Sequence, residues 1–353
     1  MMKFLSAICL LLLVSGVHEV ESRRHPERHR QHKLFVFGDS FVDAGNLPAS
    51  QMGVMTRGWF YPYGSSDAGH DNRATGRLSD GMLQSDFLAQ ILGREESPPP
   101  YRVQRERDAV DASGVNFAMA GSGVYEIAQQ VPTTTLANQI AQLRTLVDGG
   151  AITDRDLAES VALVAISDSR DYALMNDTDS STKIMSFIES LTDEIVRSVD
   201  QLQKLGVGKV LVNSLPPIGC TPWRSWNNNY TSCDTTANMF ANAHNTLLNQ
   251  KLGDADNVLI LDLYTMFTNV VGSGTSMSRQ FKHKYTPCCD AASSDGYRGY
   301  CGQVDSMGRA QYSLCDKPDK YFYWDYTHPT EAGWKAVMDA LEPSINDFLG
   351  IST

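Results

Sequence analysis

Beyond its first residues the chain has no apolar run long enough to cross a membrane, and it has no excess of basic residues. Lys and Arg total 30 against 41 Asp and Glu, which gives a formal net charge of −11. Nucleic-acid binding requires a basic face, so this charge argues against it, and more weakly against binding to an anionic membrane surface. The chain also lacks internal repeats and low-complexity linkers. A single domain is therefore favoured.

Two groups of motifs that would indicate other chemistry are also missing. No Gly-x-Ser-x-Gly occurs, which excludes the familiar α/β-hydrolase nucleophile turn. No Cys-x-x-Cys or His-x-x-x-His stands beside the cysteines, and the adjacent Cys288 and Cys289 are awkwardly placed to share one tetrahedral zinc. We therefore predict no metal site, and the chemistry below needs no organic cofactor.

The N-terminus reads as a processing signal. Lys3 is followed by the short apolar run Phe4–Val14 and then by small residues suited to cleavage, which predicts a secretory signal peptide over residues 1–22. Residues 23–33 mix Arg, Lys and His and are expected to form a solvated arm, although binding of an acidic partner is an alternative. The catalytic domain is predicted over residues 34–350.

Cysteine usage agrees with export. Outside the signal the sequence has an even number of cysteines, which in an oxidising compartment predicts three disulfides. These residues are Cys220, Cys233, Cys288, Cys289, Cys301 and Cys315. Cys220 and Cys233 would close a short loop and are predicted to pair; the connectivity of the other four stays open. Sequons at Asn176 and Asn229 lie in polar surroundings and suit surface glycosylation.

Buried-type strands alternate with amphipathic helices along the chain. The predicted strands are 34–37, 115–118, 160–166, 210–212 and 258–261, and the predicted helices are 79–92, 138–147, 181–205, 235–252 and one after Thr330. Such alternation predicts a mostly parallel sheet with helices on both faces. Loops 58–77 and 272–323 are long enough to wall a binding site, although a stapled surface loop explains the second equally well.

Two remote stretches carry the chemistry. Ser40 follows the first strand in Gly38-Asp39-Ser40, at the edge where open parallel sheets place reacting groups. A serine needs an imidazole to accept its proton and a carboxylate to orient that imidazole. In Asp325-x-x-His328 the carboxylate can curl back to Nδ1 and leave Nε2 facing a nucleophile.

Further motifs carry a family resemblance. They are Gly38-Asp39-Ser40-x-x-Asp43-x-Gly45-Asn46, Pro62-Tyr63-Gly64, Gly76-Arg77-Leu78-Ser79-Asp80-Gly81, Asn116-Phe117-Ala118-x-x-Gly121, Leu215-Pro216-Pro217-x-Gly219-Cys220 and Asp325-x-x-His328-Pro329-Thr330. These motifs occur in the order found in the plant-type GDSL (SGNH) esterase/lipases, which the sequence resembles over nearly all of the mature chain. The resemblance implies a flavodoxin-like three-layer α/β/α fold, with Ser40 as nucleophile, His328 as general base and then acid, and Asp325 as the orienting carboxylate. It also implies an oxyanion hole made by the main-chain N–H groups of Ser40 and Gly121 and by an Asn side chain.

The chain departs from the family pattern at that Asn. After the strand 160–166 the family has Gly-x-Asn-Asp, whereas this sequence reads Ser167-Asp168-Ser169-Arg170-Asp171-Tyr172. Arg170 stands where the Asn amide is expected. A guanidinium would stabilise an oxyanion, but an ion pair with Asp168 or Asp171 would hold the guanidinium away from the oxyanion. Losing one oxyanion donor typically costs roughly 10²–10³-fold in rate, so activity is either retained through Arg170 or reduced.

The leading expectation is a secreted, extracellular or cell-wall serine hydrolase that cleaves carboxylic esters of lipids, acetylated sugars or small acyl compounds. One alternative is a weakly active or inactive member that acts as a binding protein; another is an acyltransferase that uses the same three residues. Three aromatic residues of the first long loop, Trp59, Tyr61 and Tyr63, are candidates for the acyl or alcohol pocket, with simple packing equally open. Asp39 and Asp43 are expected to hold the nucleophile turn and the loop that follows.

Overall fold

The computed structural model describes residues 32–49, 52–105, 109–127, 133–167, 170–174, 179–291 and 299–351. The predicted signal peptide, the sequon at Asn176 and most of the predicted arm lie outside these ranges. The first strand begins at Lys33, the last residue of that arm. The bounds of the signal and of the domain stay predictions.

A parallel sheet of five strands forms the centre of the fold, as the alternating pattern predicted. Its strands are β1 (Lys33–Gly38), β2 (Gly114–Asn116), β3 (Ser160–Ala165), β4 (Lys209–Asn213) and β5 (Val258–Leu261). Their order is β2-β1-β3-β4-β5, and every neighbouring pair is parallel. The carboxyl ends of β1 and β3 therefore meet at one edge, with Gly38 level with Ala165.

Helices cover both faces of this sheet. They are α1 (Gln84–Ile91), α2 (Tyr101–Gln104), α3 (Leu136–Asp148), α4 (Asp154–Ala158), α5 (Ser181–Leu205), α6 (Pro222–Ser225), α7 (Thr235–Leu252), α8 (Leu263–Val271), α9 (Ser276–Gln280) and α10 (Glu331–Leu349). The bounds of α5 and α7 are those predicted. Ser180 caps the start of α5, and Gly206, at φ +103°, ends it in the left-handed conformation.

Side chains of β1 show why the chain forms three layers. Successive side chains of a strand point to opposite faces. Leu34 and Val36 join a core that includes side chains of α1, α8 and α10, whereas Phe35 and Phe37 join one that includes side chains of α3, α5 and α7. Both faces are thus buried, which explains the continuous apolar runs of these strands. The predicted three-layer α/β/α fold is confirmed.

One predicted helix start is wrong. The helix predicted from residue 79 begins at Gln84, with Leu83 as its N-cap residue. Ser79 had the character of an N-cap, but its hydroxyl donates to the main-chain oxygen of Pro329 at 3.0 Å. This bond joins the segment before α1 to the residue that follows His328, so a long-range contact has replaced a local cap.

Three disulfides lie among the described residues, as many as predicted. Cys220 pairs with Cys233, as expected. The sequence left the other pairs open; Cys288 bonds Cys315 and Cys289 bonds Cys301. Both staple the second long loop, where the short strands β6 (Cys289–Asp290) and β7 (Ser313–Leu314) form an antiparallel pair.

A buried ion pair fixes the segment that leads into α1. Arg77 Nη2 lies 2.8 Å from Asp86 Oδ1, and Nε lies 3.0 Å from Oδ2, with both side chains almost fully buried. Burial alone raises the pKa of Asp86. The Arg77 guanidinium and the main-chain N–H groups of Leu83 and Ser97 more than offset that effect, so the pKa is lowered.

We expect Arg77→Gln to lower the free energy of unfolding by about 3–5 kcal/mol at pH 7, because it leaves a buried carboxylate without its cation. Asp86 has a lowered folded pKa, so its contribution is present above the ordinary aspartate pKa of about 3.9 and is lost as the pH falls. The difference from wild type should therefore shrink in urea unfolding at about pH 3. The exposed pair of Arg155 and Glu159 supplies the control, since Arg155→Gln should change stability by at most about 1 kcal/mol. Equal losses at both pH values would contradict the assignment.

Candidate active site

The turn after β1 presents Ser40 at the carboxyl edge of the sheet. Gly38 has a φ of +145°, and a Cβ there would clash with the main-chain oxygen of Ala165. Glycine is needed so that β1 can pass this close to β3. The amide of Gln139 holds both main-chain groups of Gly38, with Oε1 accepting from its N–H at 2.7 Å and Nε2 donating to its carbonyl at 2.9 Å. The start of the turn is therefore fixed.

Asp39 ties down the turn, as expected from the sequence. Its Oδ1 accepts from the N–H of Phe41 at 3.0 Å, and its Oδ2 accepts from the N–H of Ser167 at 2.6 Å. The second bond joins the loop after β1 to the loop after β3. Asp39 thus acts through the backbone of two loops.

The fold brings together the three predicted catalytic side chains, which are remote in sequence. His328 Nε2 lies 2.9 Å from Ser40 Oγ. His328 Nδ1 lies 2.7 Å from Asp325 Oδ1 and 2.9 Å from Oδ2. All three residues are almost fully buried, and His328 stands two residues before Thr330, the N-cap of α10. The distances are those that let an imidazole accept the serine proton while a carboxylate fixes its tautomer.

Asp325 is surrounded by donors. Its Oδ1 accepts from the main-chain N–H groups of Thr327 and His328, both at 2.9 Å. Its Oδ2 accepts from Tyr63 OH at 2.7 Å and from Arg57 Nη2 at 3.0 Å. Burial alone raises the pKa of Asp325, but His328, Arg57 and these hydrogen bonds hold it well below its ordinary value. These contacts therefore favour the ionised carboxylate.

The contacts of Arg57 and Tyr63 with Asp325 are not apparent from the sequence. The sequence predicts Tyr63 as a pocket or packing residue and predicts no role for Arg57. Both precede Asp325 by more than 260 positions. No local spacing signals such a contact, although the Pro62-Tyr63-Gly64 motif marked the neighbourhood.

Asp43 organises the glycine loop that faces Ser40. Its Oδ1 accepts from the N–H groups of Gly45 at 2.7 Å and Asn46 at 2.6 Å. Asp43 therefore holds the loop after the Ser40 turn, as predicted. Its Oδ2 accepts from the N–H of Ala120 at 2.7 Å. Gly121, the next residue, has a φ of +78°, a conformation that glycine adopts without strain. The carboxylate thus sets the position of the predicted oxyanion residue.

The side chain of Arg170, the other predicted oxyanion residue, lies outside what the structure describes, as does Asp168. The neighbouring Asp171 is described and buried. Its carboxylate accepts from the N–H of Val124 at 2.9 Å and from that of Tyr125 at 2.9 Å. Asp171 therefore joins this segment to the loop after Gly121.

A cavity of about 420 Å³ opens beside Ser40 and His328, within the range of small-molecule sites. The loop 58–77, predicted to wall a binding site, contributes no residue to this cavity, although Arg57 and Leu78, which flank the loop, do. The residues that line it beyond Ser40 and His328 are Phe41, Met55, Arg57, Leu78, Ala120, Gly121, Ser167, Tyr172, Pro216, Ile218, Thr221, Trp223, Arg224 and Thr327.

The candidate pocket aromatics Trp59, Tyr61 and Tyr63 do not line this cavity. Trp59 donates to the main-chain oxygen of Leu47, Tyr61 is exposed, and Tyr63 contacts Asp325. The alternative interpretation of these side chains as packing residues fits Trp59.

Among the described residues no group of three or more His, Cys, Asp or Glu side chains is placed to hold a metal ion. Within the same ranges, no helix combines the length and apolarity needed to cross a bilayer. Asn229 is exposed at the end of a short 3₁₀ turn, with a φ of +53°.

A three-layer α/β fold that holds Ser, His and Asp in hydrogen-bonded sequence at the edge of its sheet has the arrangement that serine hydrolases use. A family profile described as GDSL-like Lipase/Acylhydrolase matches residues 34–341. The chain belongs to this family.

Two curated relatives from Arabidopsis thaliana agree with that assignment. GDSL esterase/lipase At5g03610 is 34% identical over 96% of this chain and 94% of its own length. GDSL esterase/lipase At3g09930 is 33% identical over 89% of this chain and 88% of its own length. A solved mutant of Axe2, an acetylxylan esterase from Geobacillus stearothermophilus, covers 91% of this chain and 95% of its own at 13% identity and a TM-score of 0.40.

Proposed function

We propose that this protein is a secreted hydrolase that cleaves carboxylic esters through an acyl-enzyme on Ser40. The observation that carries the proposal is the continuous hydrogen-bonded path from Ser40 Oγ to His328 Nε2 and from Nδ1 to Asp325. The path lies at the wall of a cavity large enough for a small ester.

In the first half-reaction Ser40 Oγ attacks the ester carbonyl carbon while its proton passes to His328 Nε2. The carbonyl π electrons move to the oxygen and form a tetrahedral oxyanion. As this intermediate collapses, the bond to the alcohol oxygen breaks and His328 returns the proton to the leaving alcohol. Asp325 stays ionised and stabilises the imidazolium by accepting from Nδ1.

In the second half-reaction His328 takes a proton from a water molecule, whose oxygen attacks the acyl carbon. The new tetrahedral intermediate collapses, the bond to Ser40 Oγ breaks, and the imidazolium returns its proton to that oxygen. The acid leaves, and the enzyme regains its starting state. Every proton and electron pair in the cycle is supplied by the ester, water and the three side chains.

Main-chain N–H groups of Ser40 and Gly121 are proposed to bind the oxyanion. Gly121→Ala is expected to lower kcat by about 100-fold with a smaller change in KM, because an alanine at φ +78° moves the N–H. Gly93→Ala is the matched control, since Gly93 has a φ of +76° and open space around its Cβ. Steady-state kinetics on both variants measure the difference; equal activity of the two would remove Gly121 from the hole.

Arg170 is the proposed third contributor, at the position where the family has an Asn. Arg170→Asn is expected to raise kcat for a small p-nitrophenyl ester. The amide of Asn is smaller than a guanidinium and, being uncharged, would not be held away from the oxyanion by an ion pair with a neighbouring carboxylate. Kinetics of the purified variant, with thermal unfolding to confirm its fold, test this. A fall in kcat would instead identify the guanidinium as the working donor.

Labelling with a fluorophosphonate tests the activity itself. A working Ser40 should be labelled at neutral pH and should release p-nitrophenol from short acyl esters. Absence of both reactions would favour a binding protein that retains the three side chains. Formation of new esters when acceptor alcohols are added would favour an acyltransferase. A panel of acyl chain lengths would then define the substrate class.

Export of the protein is part of the proposal. Three disulfides among the described residues and the exposed sequon Asn229 support an oxidising, glycosylating route. Expression with residues 1–22 in a eukaryotic host, followed by N-terminal sequencing and deglycosylation of the medium protein, tests it. Retention of the intact N-terminus inside the cell would contradict it.

A further inference from the structure

The carboxylate of Asp325 is held from two sides that have different origins. Oδ1 is bound by main-chain N–H groups of its own turn, at Thr327 and His328. Oδ2 is bound by two side chains of a loop that lies more than 260 positions earlier, Tyr63 and Arg57. We propose that Arg57 and Tyr63 are positioning residues that clamp the carboxylate in the orientation that His328 requires. This inference rests on the proposed function.

The contacts among the three side chains form a closed triangle, named here the Arg57–Tyr63 clamp. Arg57 Nε lies 2.7 Å from Tyr63 OH, Tyr63 OH lies 2.7 Å from Asp325 Oδ2, and Arg57 Nη2 lies 3.0 Å from the same oxygen. A guanidinium has donors only, so the phenol oxygen must accept from Nε. Its single proton is then directed to Asp325. The polarity of every bond in the clamp is therefore determined.

The clamp controls rotation of the carboxylate. His328 Nδ1 lies 2.7 Å from one oxygen of Asp325 and 2.9 Å from the other, so the carboxylate faces the ring with both. Rotation about the last side-chain bond would carry Oδ2 away from Tyr63 and Arg57 and would turn the imidazole with it. The 2.9 Å contact of Nε2 with Ser40 would then be lost.

Tyr63 and Arg57 differ in whether they line the cavity. Tyr63 is 1% exposed, packs edge-to-face on Trp324, and does not line the cavity. Arg57 lines the cavity with one face and pairs with Asp325 through its Nη2. Changes at Tyr63 should therefore affect kcat alone, whereas changes at Arg57 should also affect KM. A buried ion pair is by itself weak evidence of a stabilising role, so this kinetic separation is the useful readout.

Tyr63→Phe removes one oxygen and keeps the packing of the ring. We expect kcat to fall about tenfold with KM unchanged, the effect of losing one charge-assisted hydrogen bond in the transition state. Tyr323→Phe is the matched control. Tyr323 is fully buried, and its hydroxyl has no hydrogen-bond partner among the described residues. Its kinetic constants should equal those of wild type.

Arg57→Gln should lower kcat by a similar or larger factor and should also change KM. Arg57→Lys keeps the positive charge and should recover part of kcat, but a single ammonium group lacks the fork that reaches both Tyr63 and Asp325. Full recovery with Arg57→Lys would show that charge alone matters and would overturn the clamp geometry.

Proton NMR of the free enzyme gives a readout that does not depend on turnover. The Nδ1 proton of His328, bonded to a buried carboxylate, should give a downfield signal in wild type and in Tyr323→Phe. In Tyr63→Phe the signal should move or broaden. If Tyr63→Phe keeps both the wild-type signal and the wild-type kcat, the clamp is overturned. If wild type gives the signal but cleaves no ester, the proposed function fails. The comparison of the signal between wild type and Tyr63→Phe then still tests the clamp.

Discussion

Replacing Ser40 by alanine is expected to lower kcat for a p-nitrophenyl ester by roughly 10⁴- to 10⁶-fold. The variant has no atom that can form the acyl-enzyme, and His328 Nε2 loses the group that lies 2.9 Å from it. Residual turnover would come only from oxyanion stabilisation and binding. Fluorophosphonate labelling should disappear together with turnover, since both reactions use the same oxygen.

Stability should change little in this variant. The hydrogen bond between Ser40 Oγ and His328 Nε2 is removed, at a cost of about 1 kcal/mol. Ser160→Ala is the matched control: Ser160 is also buried and donates to the main-chain oxygen of Leu157 at 2.7 Å, but it lies at the opposite end of the sheet. It should retain wild-type kcat. A Ser40→Ala protein that unfolds normally and keeps more than a hundredth of the wild-type rate would rule out Ser40 as nucleophile.

Asp325→Asn is expected to lower kcat by about 10⁴-fold, through the imidazole tautomer. An asparagine amide can donate to a ring nitrogen, which leaves the proton of His328 on Nε2, where Ser40 needs an acceptor. The environment of Asp325 makes the change more severe, because donors approach both of its oxygens. Whichever way the amide is turned, its NH₂ faces a main-chain N–H or the Arg57 guanidinium.

The same variant should also have a pH-dependent loss of stability. Asp325 has a pKa below its ordinary value, so its contribution to folding is present above about pH 4 and is lost as the pH falls further. Removing the charge leaves Arg57 buried without its counterion, which should cost about 3–5 kcal/mol at pH 7 and less at pH 3. Urea unfolding at the two pH values measures this change.

Asp86→Asn separates the two effects of Asp325→Asn. Asp86 is a fully buried carboxylate paired with an arginine, but it has no contact with His328. Its variant should lose similar stability at pH 7 and keep kcat within a few-fold of wild type. If Asp86→Asn lost activity as completely as Asp325→Asn, the effect of Asp325 would be one of folding and not of tautomer.

Local patterns predicted the elements whose residues are determined by neighbours in sequence. The bounds of α5 followed from its apolar spacing and from Gly206, which ends it. Cys220–Cys233 followed from the shortness of the loop it closes. The start of α1 was wrong because the hydroxyl of Ser79 bonds to Pro329 instead of capping a helix.

By itself, the sequence determined the layered fold and the identity of Ser40, Asp325 and His328 as candidates. Strand and helix periodicity is a property of adjacent residues, and Asp325 and His328 lie on a single turn. Only the tertiary structure decided which disulfides close the second loop and that Arg57 and Tyr63 bind Asp325. Local sequence cannot predict these contacts, because they form only after folding has placed the loops beside one another.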